Sequence, residues 1–193
     1  MDTKDIQDRL SFLRAAEGLK CVLRSAKLSD GVDENTAAHS WRLALWVVTF
    51  RDQMEGLDLT RMLEMAVVHD LGETISGDIP AILQVDAAVK ERQERTDLET
   101  LLRPLPEGMR AHFWSLWEEY EAGETEEAQW VKALDKLETM LQHNQGDNDP
   151  DFDYRFNLSY GVAATSKVEL LAFVRTFIDT ETASNAEHFQ GKS

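Results

Sequence analysis

The sequence is poor in the residues that staple, kink or anchor a chain. Cys21 is its one cysteine among 193 residues, which excludes an internal disulfide and a cysteine-built zinc site and fits a reducing compartment. Four prolines and ten glycines are too few for a linker-rich or low-complexity chain. No stretch approaches the roughly 20 apolar residues of a membrane span, and the apolar run Leu43 to Val48 is short. Met1 to Leu10 is polar and acidic and lacks the apolar core of a signal peptide, so a cytoplasmic protein is expected. Cations are also scarce: 20 Lys and Arg stand against 36 Asp and Glu, a net charge of −16. That balance argues against binding polymeric nucleic acid, whose phosphates demand many cationic contacts, and against adsorption to an anionic membrane.

What is present is a globular composition, 42% hydrophobic and 29% charged, in a chain long enough for one full core and too short for two ordinary domains. Apolar residues recur at three- and four-residue spacing almost throughout, so an all-α fold is expected. The spacing predicts a first helix from about Ile6 to Ser25, with Ile6, Leu10, Leu13, Ala16, Leu19 and Leu23 on one face. A second, capped by Asn35 or Thr36, runs through His39, Trp41, Leu45 and Val48 to about Met54, and a third covers Leu59 to Leu71. Helices follow at about Asp86 to Leu102, Pro106 to Ala122, and Thr125 to His143, the last buried through Trp130, Leu134, Leu137 and Leu141. Asn144 to Pro150 reads as a loop and Ser159 to Thr180 as a last helix. The tail from Glu181 reads as flexible, leaving one domain over residues 1–180.

Chemistry concentrates in Val67-Val68-His69-Asp70-Leu71-Gly72-Glu73, where an imidazole and a carboxylate end an apolar helix and Glu73, four residues after His69, returns to the same side. Gly77-Asp78-Ile79-Pro80 adds a further acid in a tight loop. An imidazole among clustered carboxylates suits a divalent metal with a general acid or base beside it. The same residues also read as a His-Asp salt bridge or helix cap, a turn at Gly77-Asp78, and a buried core histidine at His39. Asp135, between Leu134 and Leu137, lies close to a buried face and needs a partner, either Lys132 and Lys136 or a metal. Trp41, Trp46, Trp114, Trp117 and Trp130 stand at helical spacing and read as core or interface.

The ordered set His39, His69-Asp70 and Asp135 resembles the HD-domain metal-dependent phosphohydrolases, and within them the 5′-deoxynucleotidase-like branch, over about Leu19 to Gln142. The matching stretches are Leu19-Lys20 with Arg24, Glu34-Asn35 before His39-Ser40, His69 to Glu73, Gly77 to Pro80, and Lys132 to Leu137; the fifteen positions from Arg24 to His39 also agree. The resemblance implies a compact HD-type helical bundle in which His39, His69, Asp70 and Asp135 bind one divalent metal. Two imidazoles with two carboxylates favour manganese, cobalt, iron or zinc over calcium, with magnesium allowed. It further implies that Glu73 is the catalytic acid that orients or activates the attacking water, that Asp78 assists at the leaving oxygen, and that Arg24 reaches the phosphate or sugar.

The implied reaction is hydrolysis of a nucleoside 5′-monophosphate to nucleoside and phosphate by a homodimer. The alternatives are an HD-domain hydrolase of another phosphate ester, triphosphate, cyclic nucleotide or alarmone, and a non-catalytic metal- or nucleotide-binding module. Glu73 and Asp78 weigh against the module, since neither is needed to hold the ion. Two positions depart from the family pattern. Ala38 stands where an acid commonly precedes the first metal histidine, and Ser25 stands where the branch has a tryptophan against the sugar, leaving room for a ribose 2′-hydroxyl. An anionic substrate approaching so acidic a chain must be captured locally, by the metal and Arg24, with Lys20, Lys27 and Arg42 as candidate helpers.

Overall fold

Side-chain caps start the helices at short polar residues. In the computed structural model, which describes residues 2–79 and 87–190, Asp2 caps α1 (Thr3–Ala16), Asn35 caps α2 (Thr36–Thr49) and Asp58 caps α3 (Leu59–Val68). After α4 (Ala87–Leu102) and α5 (Glu107–Ala122), Gly123 ends α5 in the left-handed region at φ +59°. Thr125 then caps α6 (Glu126–Gln145). The predicted turn residue Pro80 and the predicted helix start at Asp86 lie outside the described residues.

Helix α6 is the axis of the fold and packs against α2, α3, α5 and the C-terminal helices. Leu43, Met62, Met65, Leu116, Trp117, Leu134, Leu137, Met140 and Leu171 are fully buried around it. The expected all-α bundle is the fold observed, with one small addition. Strands β1 (Leu23–Lys27) and β2 (Asp33–Asn35) form an antiparallel ribbon pairing Leu23 with Asn35 and Lys27 with Asp33.

That ribbon corrects the first predicted helix, which stops at Ala16 and gives way to a 3-10 turn over residues 17–21. Val22 is extended, its carbonyl accepts from the Thr36 amide at 2.9 Å, and Gly31, at φ +83°, closes the hairpin. Arg24 therefore lies on a strand. On α1 the helical period was as expected but the buried face was not. Phe12 is buried while Ile6, Leu10 and Leu13 are exposed; Leu43 and Val47 are buried while Trp41, Leu45 and Val48 are exposed. On α2 the buried face carries Thr36, His39 and Ser40 as well, because these find polar partners inside.

A short helix not predicted, α7 (Tyr154–Asn157), capped by Asp153, precedes the last predicted helix, which is two: α8 (Val162–Thr165) and α9 (Glu169–Gln190). Gly161 separates α7 from α8 at φ +67°, where a Cβ would lie 2.6 Å from Lys136 Cβ. The segment expected as a flexible tail instead continues α9 to Gln190. Thr182 is fully buried, its one hydroxyl proton shared between the Ile178 carbonyl and Asn144 Oδ1, each 3.0 Å from Oγ1, and Asn185 donates to the Asn144 carbonyl. Those bonds give the segment a reason to stay helical that periodicity alone does not reveal.

Candidate active site

His39 enters the site from the first turn of α2, and His69 is the residue that caps the C-terminus of α3. His69 Nδ1 stands 3.0 Å from the Ala66 carbonyl, which can only accept, so Nδ1 carries the proton and Nε2 presents a lone pair. His39 Nδ1 meets Glu138 in a short contact that orients the ring in the same way. The two Nε2 atoms and Asp70 Oδ2 lie within 4.8 Å of one another. All three are buried and none has a hydrogen-bond partner. Three unpaired buried ligand atoms of this kind are what a borderline divalent cation takes, so the donor set fits such an ion.

Asp135, at the middle of α6, divides its two oxygens. Oδ2 accepts from Tyr120 Oη at 2.7 Å and from Lys136 Nζ at 2.8 Å, while Oδ1 lies 3.1 Å from His39 Nε2 without the alignment of a hydrogen bond. Lys132, the other expected partner, instead lies over the Tyr120 ring and 3.8 Å from Glu121. Burial opposes charge on Asp135, but Lys136 and then His39 and His69 hold it well below the usual carboxylate range. Burial and Arg24 likewise oppose charge on His39, yet Glu138 and Asp135 raise its pKa to about 9. Metal binding requires neutral imidazole, so an incoming cation must displace that proton.

Glu73 follows in a 3-10 turn over residues 71–73 and is almost fully buried. Gly72 makes this possible: a Cβ there would lie 2.9 Å from the Glu94 carbonyl oxygen, so only glycine lets α4 approach so closely. From α4, Lys90 Nζ donates to Glu73 Oε1 at 3.0 Å, binds Glu94 at 2.7 Å and stands 4.0 Å from Asp78. Glu73 Oε2 has no partner. Burial, with Asp70 and Asp78 adding repulsion, lifts the Glu73 pKa to about 9 against the pull of Lys90.

A cavity of about 550 Å³ opens on these groups and is lined by Arg24, His69, Asp70, Glu73, Asp78 and Asp135, among others. Arg24 donates to Thr139 Oγ1 at 3.0 Å and lies 3.4 Å from Glu34 and 3.8 Å from Asp70. Ser25 also lines the cavity and is exposed. The helpers expected beside Arg24 are elsewhere: Arg42 is bound to Glu138 and Lys27 to Asp149, and the further cations of the lining are Lys90, Lys132 and Lys136.

Residues 16–172 match the family described as HD domain. The chain is an HD-domain protein. It is 36% identical over 138 residues to 5′-deoxynucleotidase HDDC2 of Mus musculus, covering 70% of this chain and 68% of that one. The corresponding Homo sapiens protein is 34% identical over 138 residues, at 70% and 67% coverage. Among solved structures, a protein described as a predicted metal-dependent phosphohydrolase from Magnetospirillum magnetotacticum MS-1 superposes with a TM-score of 0.80 at 28% identity, over 95% of each chain.

Three residues of this HD-domain site escaped the reading of its sequence. Glu138 lies three residues after Asp135 on α6, a spacing that signals a shared face but not a histidine as its partner. Tyr120 and Lys90 come from α5 and α4, whose approach no local pattern encodes. Ala38, where an acid was expected, uses its amide to complete the Asn35 cap, and Glu138 supplies an acid to His39 from across the bundle.

Proposed function

We propose that this HD-domain protein is a metal-dependent phosphomonoesterase that hydrolyses nucleoside 5′-monophosphates to nucleoside and inorganic phosphate. The observation that carries the reading is the group of buried, unpartnered ligand atoms of His39, His69 and Asp70, with Glu73 Oε2 unpartnered beside them. The relatives named 5′-deoxynucleotidase support the substrate class. His39, His69, Asp70 and Asp135 would hold one divalent ion, manganese, cobalt, iron, zinc or magnesium. When bound, that ion supplies positive charge against the phosphate and acidifies water in its shell.

The chain's own groups do the rest. Glu73 holds Oε2 at the cavity with Oε1 anchored by Lys90, so it would orient the attacking water; its raised pKa belongs to the ion-free site, and the positive charge of a bound ion would favour the carboxylate that can take the water's proton. Asp78 lies across Lys90 from Glu73 and lines the cavity, and from there it would assist at the leaving 5′-oxygen. Arg24 presents its guanidinium to the phosphate or sugar from β1, held by Thr139. Exposed Ser25 on the cavity wall leaves space at the sugar, so AMP and dAMP should differ by less than about tenfold, roughly 1.4 kcal/mol.

Phosphate release over a panel of metals and substrates tests the reading. Release from nucleoside monophosphates with manganese or cobalt, abolished by chelation, is the expected result. Preference for a triphosphate, cyclic nucleotide or alarmone would replace the substrate, and nucleotide binding without release would make the chain a binding module. Among the described residues no helix is long and apolar enough to cross a membrane, in keeping with a cytoplasmic location. The exposed rows Trp41, Leu45, Val48 and Phe173, Phe177 favour a homodimer, to be checked by light scattering.

A further inference from the structure

The cavity has a second end that phosphate chemistry leaves unused. Asp135 and His143 lie eight residues apart on α6 with Thr139 midway, a separation of about 12 Å along the helix. All three line the cavity. That is about the reach of a nucleoside monophosphate from its phosphate to the far edge of its base. From the segment facing His143 the lining takes Phe152, Phe156, Asn157 and Tyr160, together with the acids Asp151 and Asp153.

Asn157 is fully buried. Its Oδ1 stands 3.1 Å from His143 Nδ1, and its Nδ2 has no hydrogen-bond partner. Which way round the amide lies does not alter the point: one terminal atom bonds His143 and the other is left over. A buried amide end demands a partner, and Asn157 is one of the residues that line a cavity large enough to hold one. Burial holds His143 neutral, with its pKa lowered to about 4, so the ring bonds Asn157 as an uncharged partner and adds no positive charge to this end. The walls carry flat aromatic faces: the Phe156 and Tyr160 rings lie 5.6 Å apart at 32°, with Lys136 Nζ 5.3 Å from the Tyr160 centroid, and Phe152 packs edge-on to His143 at 4.9 Å. Flat apolar faces beside an unpaired polar group suit a planar heterocycle.

We propose that this end of the cavity is a nucleobase subsite, in which Asn157, oriented by His143, reads the hydrogen-bonding edge of the base while Phe152, Phe156 and Tyr160 cover its face. The inference rests on the reading of the chain as a nucleoside monophosphatase and adds what distinguishes a nucleotide from a bare sugar phosphate.

The test compares kcat/KM for the nucleoside 5′-monophosphates of the four bases with that for ribose 5-phosphate, in the metal-loaded wild type, Asn157→Asp and Phe156→Ala. The wild type should favour its best nucleotide over ribose 5-phosphate by at least about tenfold, the contribution of one well-placed hydrogen bond with stacking. Phe156→Ala, at a half-buried position, should reduce that ratio. Asn157→Asp keeps the size of the side chain and exchanges a donor for an acceptor, so the ranking of the four bases should reorder; a purely structural role would lower all four together. Equal use of nucleotides and ribose 5-phosphate by the wild type would overturn the subsite while leaving the monophosphatase reading intact. So would an unchanged ratio and ranking in both variants. Cleavage of ribose 5-phosphate without cleavage of any nucleotide would overturn the substrate reading and the subsite with it.

Discussion

Helix α6 buries two faces of opposite chemistry to the same depth. Val131, Ala133, Leu134, Leu137 and Met140 are 0% exposed, and Asp135, Glu138, Thr139, Gln142 and His143 lie between 0% and 7%. The apolar face is satisfied by contact alone, and any close-packed neighbour will serve. The polar face requires a specific partner for nearly every atom: Tyr120 and Lys136 for Asp135, Arg42 and His39 for Glu138, the Lys27 carbonyl for Gln142. The difference teaches where binding resides. Packing leaves nothing over, whereas the polar face and its surroundings leave a few atoms unpaired, among them atoms of His69, Asp70, Glu73 and Asn157, four residues that line one cavity.

The largest effect expected from breaking the polar side is on activity. His69→Ala or Asp135→Asn should reduce turnover at least about a thousandfold, the several kcal/mol a divalent ion contributes, with bound metal lost by elemental analysis and helicity retained by circular dichroism. The apolar side should respond in the opposite sense. Leu134→Ala should cost about 2–5 kcal/mol of stability in denaturant titration, while turnover per folded molecule stays near wild type. A variant at Leu134 that abolished turnover without loss of stability would dissolve the distinction between the faces.

His143 sharpens it through pH. Burial lowers its pKa from 6.5 to about 4 in the folded protein. As pH falls from about 6.5 toward 4 the unfolded chain takes a proton that the folded one refuses, so this residue's contribution is complete above that window and lost within it. The loss is of order 3 kcal/mol, read as a falling melting temperature that His143→Gln should flatten. The smallest effect belongs to Glu138→Gln, which keeps the shape but weakens the hold on His39. Metal affinity should fall about 10- to 100-fold, or 1.4 to 2.7 kcal/mol, in a metal titration. Unchanged affinity would remove Glu138 from its place behind His39.

Much of this was legible in the sequence because it is local. Asn35, Asp58 and Thr125 begin helices through hydrogen bonds to amides three residues on, and His69, Asp70 and Glu73 are neighbours in the chain. Stripe assignment failed on α1, because period identifies an apolar side but not which side a bundle covers, and on α2 polar Thr36, His39 and Ser40 go inward with Leu43 and Val47. The tail failed because Thr182 and Asn185 are held by α6, a contact over about forty residues of sequence.

By itself, then, the sequence determined the helical class, the helix starts and the identity of the histidines and acids that could share an ion, since each follows from short-range geometry and residue chemistry. Tertiary structure alone decided which oxygen of Asp135 is spent on Tyr120 and Lys136, that Glu138 stands behind His39, that Lys90 braces Glu73, and that Asn157 is left unpaired at the far end of the cavity. Those are choices among partners, and a buried polar atom's partner is set by which helices pack together, which no spacing along one helix records.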